Sequence, residues 1–306
     1  MLTGRFFLTS TYGFASFYVY TKIVWMMHKN WRDYKSTFFK LYTADYFFNL
    51  LTFLNSFFTL RAPQNTCDDC FFSFLFNSQT AESNSWFPLN FFFTLHYCMA
   101  FIQYSMIFLF ALNRCSMVFL FSSYEKWWRP ALPWLLLLVA VFPLTITWPI
   151  MTNHAYYIYI PKLEGYATKS SADVSDILNV LLAFMAVVTV LTALANLLSI
   201  VRLICLADRI TGAERNLFFV SLVACVIQLL AAGNTLILFY AVNDSNRSSI
   251  GAQTATVLMP FVSDLLTLSH PWTLLYFSQK VRTSLLTYYY PHLMTKVFTV
   301  SNTSNY

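Results

Sequence analysis

The sequence predicts an all-α membrane protein: a seven-transmembrane helix bundle with its N-terminus outside and its C-terminus in the cytosol. Three observations carry that expectation. Of the 306 residues, 58% are hydrophobic and only 10% charged, where a water-facing surface usually needs about a quarter. Seven stretches are long and apolar enough to be spans, given that a spanning helix needs about 20 mostly apolar residues. Basic residues gather on alternate loops, the pattern that orients a multi-pass chain.

In order, the stretches are 6–27, 37–60, 88–112, 130–153, 175–206, 214–242 and 255–278. The first is the most dilute, through Thr9, Ser10, Thr11 and Gly13. The start "MLTGRFF" lacks the basic head and small-residue cleavage site of a signal peptide, so the stretch is read as a true span. The two longest are expected to include interfacial turns or tilt. All are continuous runs, unlike the short alternating strands of a barrel. No internal repeat suggests a duplicated transporter half. Residues 1–280 form the membrane domain on this reading and 281–306 a cytosolic tail. Val281, Leu285 and Leu286 share one helical face, as in a short helix lying on the inner leaflet. Thr295, Thr299, Ser301, Thr303 and Ser304 make the end of the tail either a phosphorylation target or simply a solvated segment.

Orientation follows from the nineteen Lys and Arg residues: fourteen fall on one side and five (Arg5, Arg61, Lys162, Lys169 and Arg247) on the other. The richer side is cytosolic. The net charge of +6 then reflects topology and anionic inner-leaflet lipid, not a nucleic-acid partner. The outer loops hold Asp68, Asp69, Glu82, Glu164, Asp173, Asp176 and Asp244, and two glycosylation acceptors, Asn243 and Asn246. A third triplet, at Asn302, would be cytosolic and unused. Cys67 and Cys70, in "NTCDDC", face outward as a candidate local disulfide. The βαβ context of a redox CxxC motif is absent, and zinc lacks nearby histidine.

Ionisable groups inside a membrane usually face the bundle interior or a cavity. Asp45 and His270 each lie about eight residues from the cytosolic end of their segments, or roughly 12 Å deep. Their matched depth makes them a hydrogen-bonded pair between segments two and seven. Pro271 removes a backbone hydrogen bond and should kink segment seven, with Ser269, Thr267 or water satisfying the freed carbonyl. The pair reads either as a switch or as a static network. Asp264 lies further out, near mid-membrane, level with Gln228 and with His96 or Gln103. It reads as a ligand or counter-ion contact or, preferably, as a helix–helix tie. Arg114 sits at the inner end of segment three, where it either snorkels or bridges to Glu214 at the start of segment six. His270 is alone at its level, and neither a Gly-rich phosphate loop nor a nucleophile elbow is found. An enzyme, a cofactor and a bound metal are therefore not expected.

Four motifs carry a resemblance. "STFFKLYTADYFFNLLTFLNSFFTLRAPQ" in segment two, "LNR" closing segment three, "VFPLTITWPIM" in segment four and "PFVSDLLTLSHPWTLLYFSQKVR" in segment seven look like the nematode serpentine receptor class gamma family. The resemblance runs over nearly the whole chain and is most specific in segments two, three and seven. It implies a G-protein-coupled chemosensory receptor in the plasma or ciliary membrane of sensory neurons. Its partners would be a small odorant or pheromone-like ligand, membrane lipid and a heterotrimeric G protein. Against rhodopsin-like receptors, Asn113, Arg114 and Cys115 stand where those have Asp-Arg-Tyr, and no tyrosine follows Pro271 three residues on. A Trp-x-Pro motif in segment six and a disulfide from the outer end of segment three are also absent. The resemblance implies switch or coupling roles for Asp45, Asn113, Arg114, Glu214, His270 and Pro271. It also implies a cavity among the outer halves of segments three to seven, lined by His96, Tyr97, Phe101, Gln103, Asn179, Gln228, Asn234 and Met259, with Asp264 at its floor. A ligand-gated seven-helix channel is the first rival, but its inside N-terminus conflicts with the charge asymmetry. A membrane-embedded transporter or hydrolase is the second.

Overall fold

A computed structural model describes residues 4–70, 72–82, 87–161, 164–205, 212–243 and 250–289. Its helices in chain order are α1 (Gly4–Lys29), α2 (Thr37–Ser56), α3 (Ala62–Gln64), α4 (Ser73–Asn77), α5 (Leu89–Leu120), α6 (Tyr124–Thr152), α7 (Ser175–Cys205), α8 (Gly212–Asn243), α9 (Ile250–Phe277) and α10 (Gln279–Tyr289). Strands β1 (Ala155–Ile160) and β2 (Gly165–Ser170) lie between α6 and α7. Seven of the helices run 20 to 32 residues. Four of them (α5, α6, α7 and, over Asn216–Tyr240, α8) are long and apolar enough by composition to cross a membrane.

The polar residues of the other three turn largely inward. On α1, Thr9 and Ser16 are buried, and a Cβ placed at Gly13 would run into the Phe53 ring of α2. Ser16 Oγ accepts a hydrogen bond from the indole of Trp272 on α9 at 3.0 Å. Of the residues that dilute the first segment, Thr9 is buried and Gly13 is a close-packing position, as small and polar residues are where helices approach closely. Lipid-facing character shows instead on α6, where Trp127, Trp134, Leu138 and Trp148 are exposed. Its tryptophans stand toward both ends, where interfacial aromatic residues belong.

Three features go beyond the expected pattern. First, the chain is not purely helical. β1 and β2 form an antiparallel hairpin running from Ala155 opposite Ser170 to Ile160 opposite Gly165. "AYYIYI" is rich in the aromatic and β-branched residues that favour strands. Ala155 and Tyr157 point inward onto Phe76, Leu89, Phe93 and Ile150. Gly165 sits so close to the Gln64 carbonyl that any Cβ there would clash with backbone.

Second, the expected segment 37–60 ends its α-helix at Ser56 and continues as a π-helical turn, Phe57–Arg61, into α3. Pro63 lacks the N–H that would bond the Thr59 carbonyl, which accepts instead from Thr168 Oγ1 of β2 at 3.5 Å. A π turn shifts the positions that follow it relative to α spacing. It carries Arg61 into the interior, at 2% exposure, instead of into an outer loop.

Third, α9 continues as helix through Pro260 and Pro271. Thr267 Oγ1 donates to Ser263 O at 2.7 Å, one turn before its own carbonyl, so it does not satisfy the group freed by Pro271. Thr273 Oγ1 bonds the Ser269 and His270 carbonyls at 3.1 and 3.0 Å. At the C-terminal end, α10 docks on the C-terminal part of α1. Val281 is buried there and Tyr289 OH donates to Lys22 O at 3.3 Å. Thr295, Thr299, Ser301, Thr303, Ser304 and Asn302 lie outside the described residues.

Candidate functional site

α5 is the hub of the bundle, packing against α2, α6, α7 and α8. Between it, the outer half of α2, α7, α8 and α9 lies a cavity of about 260 Å³. Its walls are mostly apolar: Met99, Leu181, Met185, Ala231, Leu238, Met259 and Leu266. Polar atoms come from Thr52, His96, Tyr97, Gln103, Tyr104, Thr235 and Ser263. None of these side chains carries a fixed charge, and a chamber of this kind suits a small, mainly apolar molecule with a few hydrogen-bonding groups.

Gln103 links the cavity to a buried polar centre. Its Nε2 donates to Thr267 Oγ1 at 2.9 Å and to Asn49 Oδ1 at 3.5 Å. Asn49 Nδ2 in turn donates to Asp45 Oδ2 at 2.8 Å. The same carboxylate oxygen accepts from Tyr20 OH at 2.9 Å and lies 2.6 Å from His270 Nδ1. Asp45, Asn49, Tyr20 and His270 are all buried, so the carboxylate is held by hydrogen bonds from three helices. That is the condition under which a charge is tolerated away from water.

Asp264 stands elsewhere than the sequence suggests. Instead of facing Gln228, His96 or Gln103, its carboxylate pairs with the Arg61 guanidinium and accepts a hydrogen bond from Tyr12 OH. The physical reason is the π turn, which delivers a buried cation at that level. Arg61 is fixed by Ser56 Oγ, 2.8 Å from Nε, and its guanidinium carbon lies 4.6 Å from the centre of the Phe53 ring. The pair ties α1, the outer end of α2 and α9 together behind the cavity wall formed by Leu60 and Ser263.

Toward the C-terminal end of α5, Arg114 is buried instead of snorkelling. Its guanidinium carbon lies 3.9 Å from the centre of the Phe38 ring, and Nη2 donates to Asn113 Oδ1 at 3.1 Å. Asn113 Nδ2 donates to Thr37 Oγ1 at 3.4 Å. Thr37 N–H and Oγ1 both donate to Glu125 Oε1, at 2.9 and 3.2 Å, and Tyr124 OH donates to it at 2.7 Å. The acid of this cluster therefore comes from the first turn of α6, reaching the arginine through a threonine and an asparagine. The Glu214 side chain, and with it the bridge to Arg114, lies outside the described residues.

Of the expected cavity residues, His96, Tyr97, Gln103 and Met259 line it. Phe101 packs away from it against Phe184 and Phe142, with ring centres 5.0 and 6.5 Å apart. Asn179 is exposed on α7. Asn234 is used between α8 and α9, where its Nδ2 donates to Ala255 O at 3.3 Å. Gln228 is fully buried beside Tyr104, whose hydroxyl donates to its main-chain oxygen at 3.3 Å, and its side-chain amide has no partner among the described residues.

Several site residues were missed in the sequence. Asn49 had a signal, standing one helical turn from Asp45 on the same face. Tyr12, Tyr20 and Glu125 had none, because their roles depend on partners on other helices. Outside the bundle, Cys67 and Cys70 are joined in a disulfide. The nearby Tyr166 phenol donates to Asp68 Oδ1 at 2.8 Å and is hydrogen-bonded to the Asn77 side-chain amide at the same distance. Burial first, then the Asp68 carboxylate, pushes its pKa up to about 12. The side chains of Asn243 and Asn246 lie outside the described residues.

Comparison with known proteins gives a consistent match. The Srg family chemoreceptor model matches residues 6–285. Serpentine receptor class gamma-31 of Caenorhabditis elegans is 30% identical over 293 residues, covering 93% of this chain and 92% of the relative.

Proposed function

From the premise that the chain belongs to the Srg family of chemoreceptors, which are receptors and not enzymes, we propose that it is a G-protein-coupled chemosensory receptor. It is a multi-pass membrane protein, and its seven long helices all span the bilayer, with the N-terminus outside. A small odorant or pheromone-like molecule binds in the cavity around Gln103, and a heterotrimeric G protein reads the inner ends of α5 and α8. The plasma or ciliary membrane of a sensory neuron is its place of action.

One observation carries this reading. The cavity-lining Gln103 is joined by hydrogen bonds through Asn49 to the Asp45–His270 pair, so a molecule in the cavity meets the buried polar centre through Gln103. A ligand needs only to prefer one packing of that centre to shift the population of the signalling state. The basic asymmetry of the loops supports the orientation.

The test is expression in cells carrying a promiscuous G protein, with a screen of odorants and pheromone-like lipids for calcium release. Each hit is compared with an Arg114→Ala variant present at the surface in equal amount. Responses lost in the variant support receptor signalling. A ligand-gated current that persists without G protein would replace this reading with a channel.

A further inference from the structure

A second cavity, of about 390 Å³, lies between the inner halves of α1 and α2. It is separate from the one around Gln103 and is lined by residues of α1 and α2 together with Trp31. Trp25, Trp31 and Phe47 on its rim are 52%, 42% and 60% exposed, on a face that the proposed topology turns toward lipid. We infer that this groove is a binding site for an uncharged, rigid membrane lipid of sterol type, seated in the inner leaflet with its hydroxyl at His28.

The polarity runs the right way for such a molecule. His28 and Trp31 stand at the interfacial end, and neither has a side-chain hydrogen-bond partner among the described residues. They can therefore offer an acceptor and donors to a single hydroxyl. From there to Thr21 the groove follows α1 for two turns, about 10 Å, a length comparable to a fused-ring body. Along that length the walls are Val24, Trp25, Phe47 and the methyl-bearing Thr43. The lining contains no Lys or Arg. The nearby Lys29 ammonium is engaged over the Trp25 ring, 5.1 Å from its centre. An anionic phospholipid head would require free cations there.

The back wall gives the site a consequence. Tyr46 OH and Thr21 Oγ1 are hydrogen-bonded at 2.9 Å, clasping α1 to α2. The Tyr46 ring packs edge-on against Tyr20 with centres 5.0 Å apart, and Tyr20 OH bonds the Asp45 carboxylate. A lipid filling the groove presses on Tyr46 and so stabilises the arrangement around Asp45 and His270.

The inference rests on the reading of α1 and α2 as spans. The full chain is reconstituted in phosphatidylcholine vesicles with increasing dehydroergosterol, and energy transfer from tryptophan to the sterol is followed. Saturable transfer that cholesterol competes away is expected, with the saturable part lost in Thr43→Phe, which fills the groove. Phe47→Ala, which removes a wall, should lower it as well and serves if the larger side chain impairs folding. Transfer that rises in proportion to sterol, equally in all three proteins, overturns the site. Competition by a phosphoinositide but not by cholesterol overturns the choice of occupant. Failure of the span reading is separately visible, because Trp25 would then be quenched by aqueous iodide.

Discussion

His270 Nδ1 lies 2.6 Å from Asp45 Oδ2, joining α9 to α2 at a depth where neither side chain meets solvent. Removing one member of a buried pair leaves the other uncompensated, at about 3–5 kcal/mol. In single and paired Asp45→Asn and His270→Phe variants, thermal unfolding in micelles should give a coupling energy of at least ~1 kcal/mol. Strict additivity of the two changes would refute the pairing.

Arg61 and Asp264 predict a larger asymmetry. Asp264→Asn strands a buried guanidinium and should destabilise by about 3–5 kcal/mol. The double change Arg61→Met with Asp264→Leu should recover most of that loss, because apolar residues of similar size often replace a buried pair without cost. If instead Asp264 is chiefly a ligand contact, Asp264→Asn will melt like the parent chain and lose only ligand response.

Gly13 faces the Phe53 ring with no room for a side chain. Gly13→Val should therefore spread α1 from α2 and cost about 1–3 kcal/mol, the usual range for overpacking. A companion substitution at the other end of α1, Gly4→Ala, has open space and should be neutral in the same melting assay.

Glu125 gathers three donors from Thr37 and Tyr124 at the inner ends of α2 and α6. Glu125→Ala should loosen Thr37 and, through Asn113, the seat of Arg114. The expected result is raised G-protein activity without ligand, measured at equal surface expression. Unchanged basal activity would make the cluster a static anchor.

Asp173 supplies a pH test outside the membrane. Its Oδ1 accepts from Ser175 Oγ at 2.6 Å and from Ser175 N–H at 2.9 Å, just before α7. These bonds lower its pKa below the ordinary carboxylate range. A depressed pKa means stabilisation that is present above the unfolded value and lost as pH falls through the folded one. Amide protection in the first turn of α7, taken relative to the intrinsic exchange rate at each pH, should fall below about pH 4, and Asp173→Asn should remove most of that pH dependence.

Much of the architecture was legible because lipid imposes a one-dimensional rule. A spanning helix must satisfy its own backbone and present apolar side chains along its length. Seven long helices overlap the apolar stretches, with α5 running eight residues beyond 112 and α6 starting six before 130, and four of them are long and apolar enough to cross a membrane. The hairpin was missed because "AYYIYI" is short and its strand pattern stands next to four prolines' worth of helix. Asp45 and His270 could be matched by depth alone, since both count from a helix end. Arg61 could not, because a single π turn before Pro63 changes which way every later side chain points.

By itself the sequence marked the chain as a helical membrane protein, and it singled out the rare polar residues of its long apolar segments. Composition, span length and charge asymmetry need no partner to be read. Only the tertiary structure decided which of those residues meet. It set Arg61 and Tyr12 on Asp264, Tyr20 and Asn49 on Asp45, and Glu125 behind Arg114. Each pairing depends on the rotation and close approach of helices far apart in the chain, and side-chain packing, not local pattern, sets those.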